Sequence, residues 1–225
     1  MTASATVVAI LAATAVFQLT MHHTPWIDNY RYDNRILFGS GSLGDFTETN
    51  PLRFGLVNLQ VLLYTFVPDR AAANVMALVM AGVLGLLWLL LLWRSAGNKD
   101  GDEMLDLSAL AVLSLLPVYH RLYDASLLIF PLAWSLRTLP GPRKELAKGT
   151  LLLILVFLVP GGSALEQLQR TSHLVPLQHS WWWTHIVMPH QVWALLFLSV
   201  LLLVAIGTSP QWGRSACEIT ESVKR

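Results

Sequence analysis

Six consecutive residues, Tyr119, His120, Arg121, Leu122, Tyr123 and Asp124, interrupt an otherwise apolar stretch and bring five chemically capable side chains together. On a helix or a tight helix–helix elbow, His120 and Asp124 stand one turn apart, as do Arg121 and Asp124. A guanidinium beside an imidazole suits a phosphate or pyrophosphate, with the tyrosines lining a sugar or lipid entrance. A buried ion pair that pins two half-helices together is the structural alternative. A second group lies between Met21 and Arg35: His22, His23, Trp26, Asp28, Asn29, Tyr30, Arg31, Asp33, Asn34 and Arg35. Alternating acids and arginines among aromatics suit carbohydrate hydroxyls and an anion. An interfacial loop satisfied by its own salt bridges is the plainer reading. The third group is Trp181-Trp182-Trp183-Thr184-His185, followed by Pro189 and His190. Three successive Trp point around a helix rather than to one side. That favours an interface anchor over a stacking platform for sugar rings.

Other chemistries find no matching pattern. His185 and His190 are five apart and His173 and His179 six apart, unlike the i,i+4 spacing of a helical zinc pair. Adjacent His22 and His23 face different ways. No metal is expected. There is no serine nucleophile elbow, Walker-type loop or dinucleotide glycine motif, so no cofactor is expected either. Gly161-Gly162 after Pro160 reads as a helix stop. The one cysteine, Cys217, allows no intramolecular disulfide and no cysteine-built zinc or iron–sulfur site. A net charge of +1 does not supply the basic face that a nucleic acid calls for.

The elements that must carry these residues follow from hydropathy. The 225 residues are 54% hydrophobic and only 13% charged. Soluble domains carry about 25% charged residues. So little charge cannot coat a soluble globule of this size, but it can cover the ends of a helix bundle. A spanning helix needs ~20 apolar residues. Residues 1–20 read as a spanning segment, since they lack the basic n-region of a cleaved signal, the other reading. Residues 71–94, 147–160 and 186–207 read as further spans. The stretch from Leu105 to Trp134 is one crossing or two, and loop charge decides. With two short passes, 105–118 and 125–137, loops 94–104 and 137–148 share one face with the tail 208–225. All of Lys99, Lys144, Lys148 and Lys224 are then cytoplasmic. The expectation is therefore an all-α, polytopic transmembrane bundle of about six segments, forming one membrane domain over 1–225. Both termini lie in the cytoplasm, and two short segments meet at residues 119–124.

The outer face then comprises 21–70, the elbow at 119–124 and roughly 161–190. It holds every histidine and six arginines but no lysine. Such a face fits an anionic ligand, while avoidance of Lys outside for topological reasons is the equal alternative. The pass 105–118 gives only ~21 Å of helix. The elbow is therefore expected below the membrane surface, where ionisable residues mark functional sites by default. The loop 21–70 is too long for a connector. Its half from Leu52 to Val67 has helical apolar spacing and reads as an amphipathic or re-entrant helix.

The run Pro117-Val118-Tyr119-His120-Arg121-Leu122-Tyr123-Asp124-Ala125, closing with Leu127 to Trp134, resembles a stretch of glycosyltransferase family 87. So does Asn50-Pro51-Leu52-Arg53-Phe54 with Leu56-Val57-Asn58-Leu59-Gln60. The resemblance covers about residues 15 to 205. It implies a bacterial multi-pass plasma-membrane enzyme of the GT-C class. Such an enzyme transfers a mannosyl or related hexosyl unit from a polyprenyl-phosphate sugar on the extracytoplasmic side, among membrane lipid. Transfer needs a base for the acceptor hydroxyl and a cationic site for the departing phosphate. Asp28 and Asp33 are the base candidates. Tyr119, His120, Arg121, Tyr123, Asp124, Arg31 and Arg35 are the substrate- and phosphate-binding candidates. The resemblance is to the C-terminal half of the family, whose catalytic carboxylate lies in a first outer loop that does not map onto this chain. The expectation is a C-terminal part of such an enzyme, one half of a split enzyme with a partner subunit carrying the N-terminal half, or a non-catalytic remnant. A non-catalytic membrane subunit that packs with a catalytic partner or binds the lipid donor is the alternative from outside enzymology.

Overall fold

A computed structural model describes residues 13–14, 16–17, 26–95, 102–117, 120, 122–159, 161–162, 164–165 and 180–208. Among these residues the regular secondary structure is helical, apart from an isolated bridge at Leu56. Contacts divide it into two compact units, Met1–Asp45 and Phe46–Arg225. The span expected at 1–20 and the tail expected at 208–225 lie almost wholly outside the described residues.

The first unit carries helix α1, Trp26–Phe38. The segment expected to be a loop is therefore helical in this part. Asp28 and Arg31 are three residues apart and approach to 3.7 Å, with both side chains about 70% exposed. Arg35 Nε donates to the Arg31 carbonyl at 3.4 Å. Local i,i+3 and i,i+4 partners of this kind favour helix. Beyond α1 the chain turns through Gly41, whose φ of 75° is left-handed. Glycine adopts that region without steric cost.

The second unit contains α2, Leu59–Phe66; α3, Arg70–Ser95; α4, Glu103–Ser114; α5, Ile129–Thr138; α6, Lys144–Leu155; and α7, His190–Gly207. Helix α7 is the axis, in contact with α2, α3, α4 and α6, while α5 bridges α4 and α6. Only α3 (over Arg70–Arg94) and α7 are long and apolar enough to cross a membrane, among the described residues. They differ in surroundings. In the most apolar stretch of α7, 56% of residues are buried, against 6% in α3. Val75, Val79, Val83, Leu86 and Trp93 all stand exposed along α3. A contiguous apolar face of that length is a poor match to water and a good one to hydrocarbon.

Helices α4, α5 and α6 hold 12, 10 and 12 residues. At 1.5 Å per residue, none crosses ~30 Å alone. α6 gains one further turn, Val156–Leu158. Buried serines of α4, α5 and α7 are satisfied within their own helices, as apolar surroundings require, whereas Thr150 Oγ1 of α6 is buried without a partner among the described residues. Ser108, Ser135 and Ser199 each return their hydroxyl to the carbonyl four residues back, at 2.6, 2.6 and 2.8 Å. Asp102 caps α4 and also receives the indole N–H of buried Trp134 at 3.0 Å and the guanidinium of Arg137. One carboxylate thereby ties the start of α4 to the middle of α5.

The stretch from Leu52 to Val67 is not a single helix. A one-turn 3-10 helix, Arg53–Gly55, is followed by extended backbone, and α2 begins only after Asn58. Asn58 accepts from the Val61 amide at 3.1 Å, the bond expected of an N-cap. Leu59 to Leu63 are all buried. Five consecutive buried residues describe an internal helix, not an amphipathic one lying on a surface.

Candidate functional site

The site is built where α4 stops and α2 starts. Pro117 disfavours helix at the residue before it. The chain leaves α4 through Leu115 and Leu116, whose amides reach back three residues, to Val112 and Leu113. The freed backbone then pairs with the extended stretch ahead of α2. The Val57 amide donates to the His120 carbonyl at 2.8 Å, and the Leu59 amide to the Leu116 carbonyl at 3.1 Å. The pairing is antiparallel. Gln60 Nε2 adds a third link, to the Pro117 carbonyl at 2.6 Å, and approaches Asn74 Oδ1 of α3 at 3.4 Å. The two runs separated in sequence, 50–60 and 117–124, are therefore one structural feature. Non-helical backbone buried within a helical bundle needs such partners, because an unpaired amide or carbonyl there is costly.

His120 occupies the turn itself. Its Nε2 lies 3.1 Å from the Ser114 carbonyl, and its Nδ1 lies 3.3 Å from Asp124 Oδ2. A carbonyl only accepts, so Nε2 carries a proton. The other nitrogen faces a carboxylate. The side chains keep 21% and 29% exposure, enough for a ligand to reach them. This pair can hold or move a proton and present positive charge beside an anion. The i,i+4 relation read from sequence is thus present, across the 3-10 segment Leu122–Leu128 rather than a regular α-helix. Tyr119 and Arg121 lie outside the described residues, as does the side chain of Tyr123.

Asn58 and Gln60 were not among the expected site residues. Gln60 Oε1 is buried without a partner, leaving an acceptor beside the elbow. Their sequence signals were polarity inside an apolar run and a place in the family-like run Leu56 to Gln60, neither of which pointed to the elbow. Beside them, an open groove of about 440 Å³ runs between α3 and α4, lined by Leu78, Gly82, Gly85, Trp88, Ser114 and Pro117 among others. It ends at the residues that hold His120.

The tryptophan-rich group forms a separate cluster in the same unit. A π-helical turn, Trp183–Val187, precedes α7. Trp183 is buried while Trp181 and Trp182 are exposed, so the three rings do point around the helix. His185 stacks on Trp181 at 4.7 Å and 14°, and Phe66 meets His185 edge-on at 4.8 Å. Trp193 donates to the His185 carbonyl at 2.8 Å. His22, His23, His173 and His179 lie outside the described residues. Among the described residues no three His, Cys, Asp or Glu side chains converge as metal ligands. Asp28, Asp33, Arg31 and Arg35 belong to the first unit, and all four are exposed there.

No family model, curated protein or solved structure matches this chain.

Proposed function

We propose that this chain is a membrane-embedded glycosyltransferase, or the C-terminal part of one, that takes a hexosyl unit from a polyprenyl-phosphate sugar on the extracytoplasmic side of a bacterial plasma membrane. Mannose is the expected sugar. The observation that carries the reading is the pairing of 57–60 with 116–120. The two runs that resemble glycosyltransferase family 87 become one polar elbow with His120 and Asp124 at its centre. In this reading α3 and α7 cross the membrane, α4 and α5 are the short pair, and α6 and residues 1–20 complete six segments. Both termini are then cytoplasmic.

Transfer forms a bond between the acceptor oxygen and C1 of the sugar, breaks the bond from C1 to the phosphate oxygen, and moves the acceptor proton to a base. His120 and Arg121 offset the charge of the departing phosphate, and Asp124 orients the imidazole. Asp28 and Asp33 remain the candidates for the base. The groove between α3 and α4 is apolar, ends at the elbow and suits an isoprenoid chain. The test is Arg121→Ala: transfer from polyprenyl-phosphate mannose should fall by about a hundredfold while membrane insertion is unchanged. Full activity in that variant would remove Arg121 from the site.

A second reading is a non-catalytic subunit that packs against a catalytic partner carrying the N-terminal half. The nearly unburied α3 favours it, because a partner helix could lie along that face. Transfer that appears only when the partner is added would select this reading.

A further inference from the structure

Arg53 is held with no ion-pair partner among the described residues. It opens the 3-10 turn Arg53–Gly55, and its backbone is fixed on both sides. The Arg53 amide donates to the Asn50 carbonyl at 3.2 Å, and the Leu56 amide donates to the Arg53 carbonyl at 3.0 Å. Gly162 presses on the next residue so closely that a Cβ there would stand 2.2 Å from the Phe54 Cβ. The turn therefore has little freedom to move.

The guanidinium carbon sits 4.9 Å from the centroid of the Phe54 ring and 5.8 Å from that of Tyr64. Nη1 is buried and has no hydrogen-bond partner among the described residues. Among the described residues no carboxylate forms an ion pair with Arg53. Aromatic faces offset part of the cost of burying a cation but satisfy none of its five N–H donors. Arg53 as a whole is half-buried, but a guanidinium nitrogen buried without a partner is costly to keep. A second cation extends the pattern. Arg70 lies 5.8 Å from the Phe46 centroid, and Phe46 packs edge-on against Tyr64 at 5.9 Å. Among the described residues Arg70 has no acidic partner either, and neighbouring Asp69 is engaged by the Ala72 amide at 2.7 Å. Half-buried Arg53 and exposed Arg70 thus flank two aromatic rings, with no acid paired to either among the described residues.

We infer that Arg53, with Tyr64 as its wall and Arg70 as the supporting charge, binds a phosphoryl oxyanion. Arginine presents a planar fork that matches two oxygens of one phosphate, and the aromatic walls keep that fork oriented while empty. Phosphate is favoured because the site lies at the start of α3, an apolar helix long enough to cross a membrane, where phosphate headgroups are abundant. The ligand is either a free phosphate or a lipid headgroup. The inference does not depend on glycosyl transfer, and it fails or stands by a different readout.

The test is chemical protection of the wild-type, full-length chain. Phenylglyoxal modification of Arg53 is followed by mass spectrometry in detergent with inorganic phosphate or with chloride at equal ionic strength. A parallel arm uses nanodiscs of phosphatidylglycerol or of phosphatidylcholine. Slowing of Arg53 modification by about fivefold or more in phosphate assigns a free phosphoryl ligand; slowing only in phosphatidylglycerol assigns an anionic lipid headgroup. Equal rates in all four conditions, or an Arg53 that is never modified, overturn the site. Arg53→Gln should also abolish any rise in thermal midpoint caused by the protecting ligand, and Arg53→Lys should retain only part of it. Should Arg53→Gln fail to fold, the wild-type protection result decides alone.

Discussion

The backbone amide of Val57 donates to the carbonyl of His120 at 2.8 Å, joining residues 63 positions apart in the chain. That bond places the extended entry to α2 against the broken end of α4. His120 is consequently held by its own backbone, by the Ser114 carbonyl and by Asp124. The elbow is thus a positioned feature rather than a loose loop.

Gln60 should be the most sensitive polar residue of this joint. Its Nε2 bonds the Pro117 carbonyl at 2.6 Å inside the bundle. Gln60→Leu keeps the volume but leaves that carbonyl unpaired, which costs about 1–3 kcal/mol. A fall in thermal midpoint in detergent is the expected result, and an unchanged midpoint would mean that the bond contributes nothing.

Two glycines should respond in opposite ways to alanine. Gly162→Ala forces a methyl into Phe54 and should destabilise by about 1–3 kcal/mol. Gly82→Ala meets nothing within 4 Å on α3 and should be neutral, or stabilising by up to about 1 kcal/mol through helix propensity. Thermal unfolding of both variants side by side checks the contrast.

Asp102 joins α4 to α5 through Trp134, Arg137 and its own cap. Asp102→Ala should cost about 2–4 kcal/mol, combining a lost cap with an unpaired buried indole N–H. Asp102→Asn keeps an acceptor and should retain much of that stability. Equal loss in the two variants would show that charge, not hydrogen bonding, holds the joint.

Sidedness can be read by labelling. In a Cys217→Ser background, a cysteine at exposed Glu48 should react with an impermeant maleimide on intact cells. One at exposed Lys144 should react only after permeabilisation. Reaction of both from outside would contradict the proposed topology.

The long apolar runs were legible because hydrophobicity alone specifies them. The span read at 71–94 is α3, Arg70–Ser95, and the one read at 186–207 contains α7, His190–Gly207. The latter starts later because Pro189 and the π turn Trp183–Val187 occupy its first residues. The His120–Asp124 relation was legible from spacing. Pairing across 57 residues, as between Gln60 and Pro117, leaves no local trace, because its energy comes from burial and not from neighbours in sequence. Gly161-Gly162 read as a helix stop, and α6 with its 3-10 turn does end before them, at Leu158; that Gly162 also sits where two segments touch left no local trace. The helix over Trp26–Phe38 escaped notice because its sequence is polar on average, although its apolar residues do fall at helical spacing. Arg53 stood in a family-like run, but what sets it apart, the lack of a partner among the described residues, could not be read from sequence.

The central claim is tested most directly by turnover of radiolabelled polyprenyl-phosphate mannose in detergent, with wild-type protein and His120→Ala compared at equal folded concentration. The account predicts transfer by the wild type, alone or with the partner half, and a loss of about a hundredfold in the variant. Wild-type transfer no greater than that of heat-inactivated protein under both conditions, or equal transfer by the variant, would contradict it.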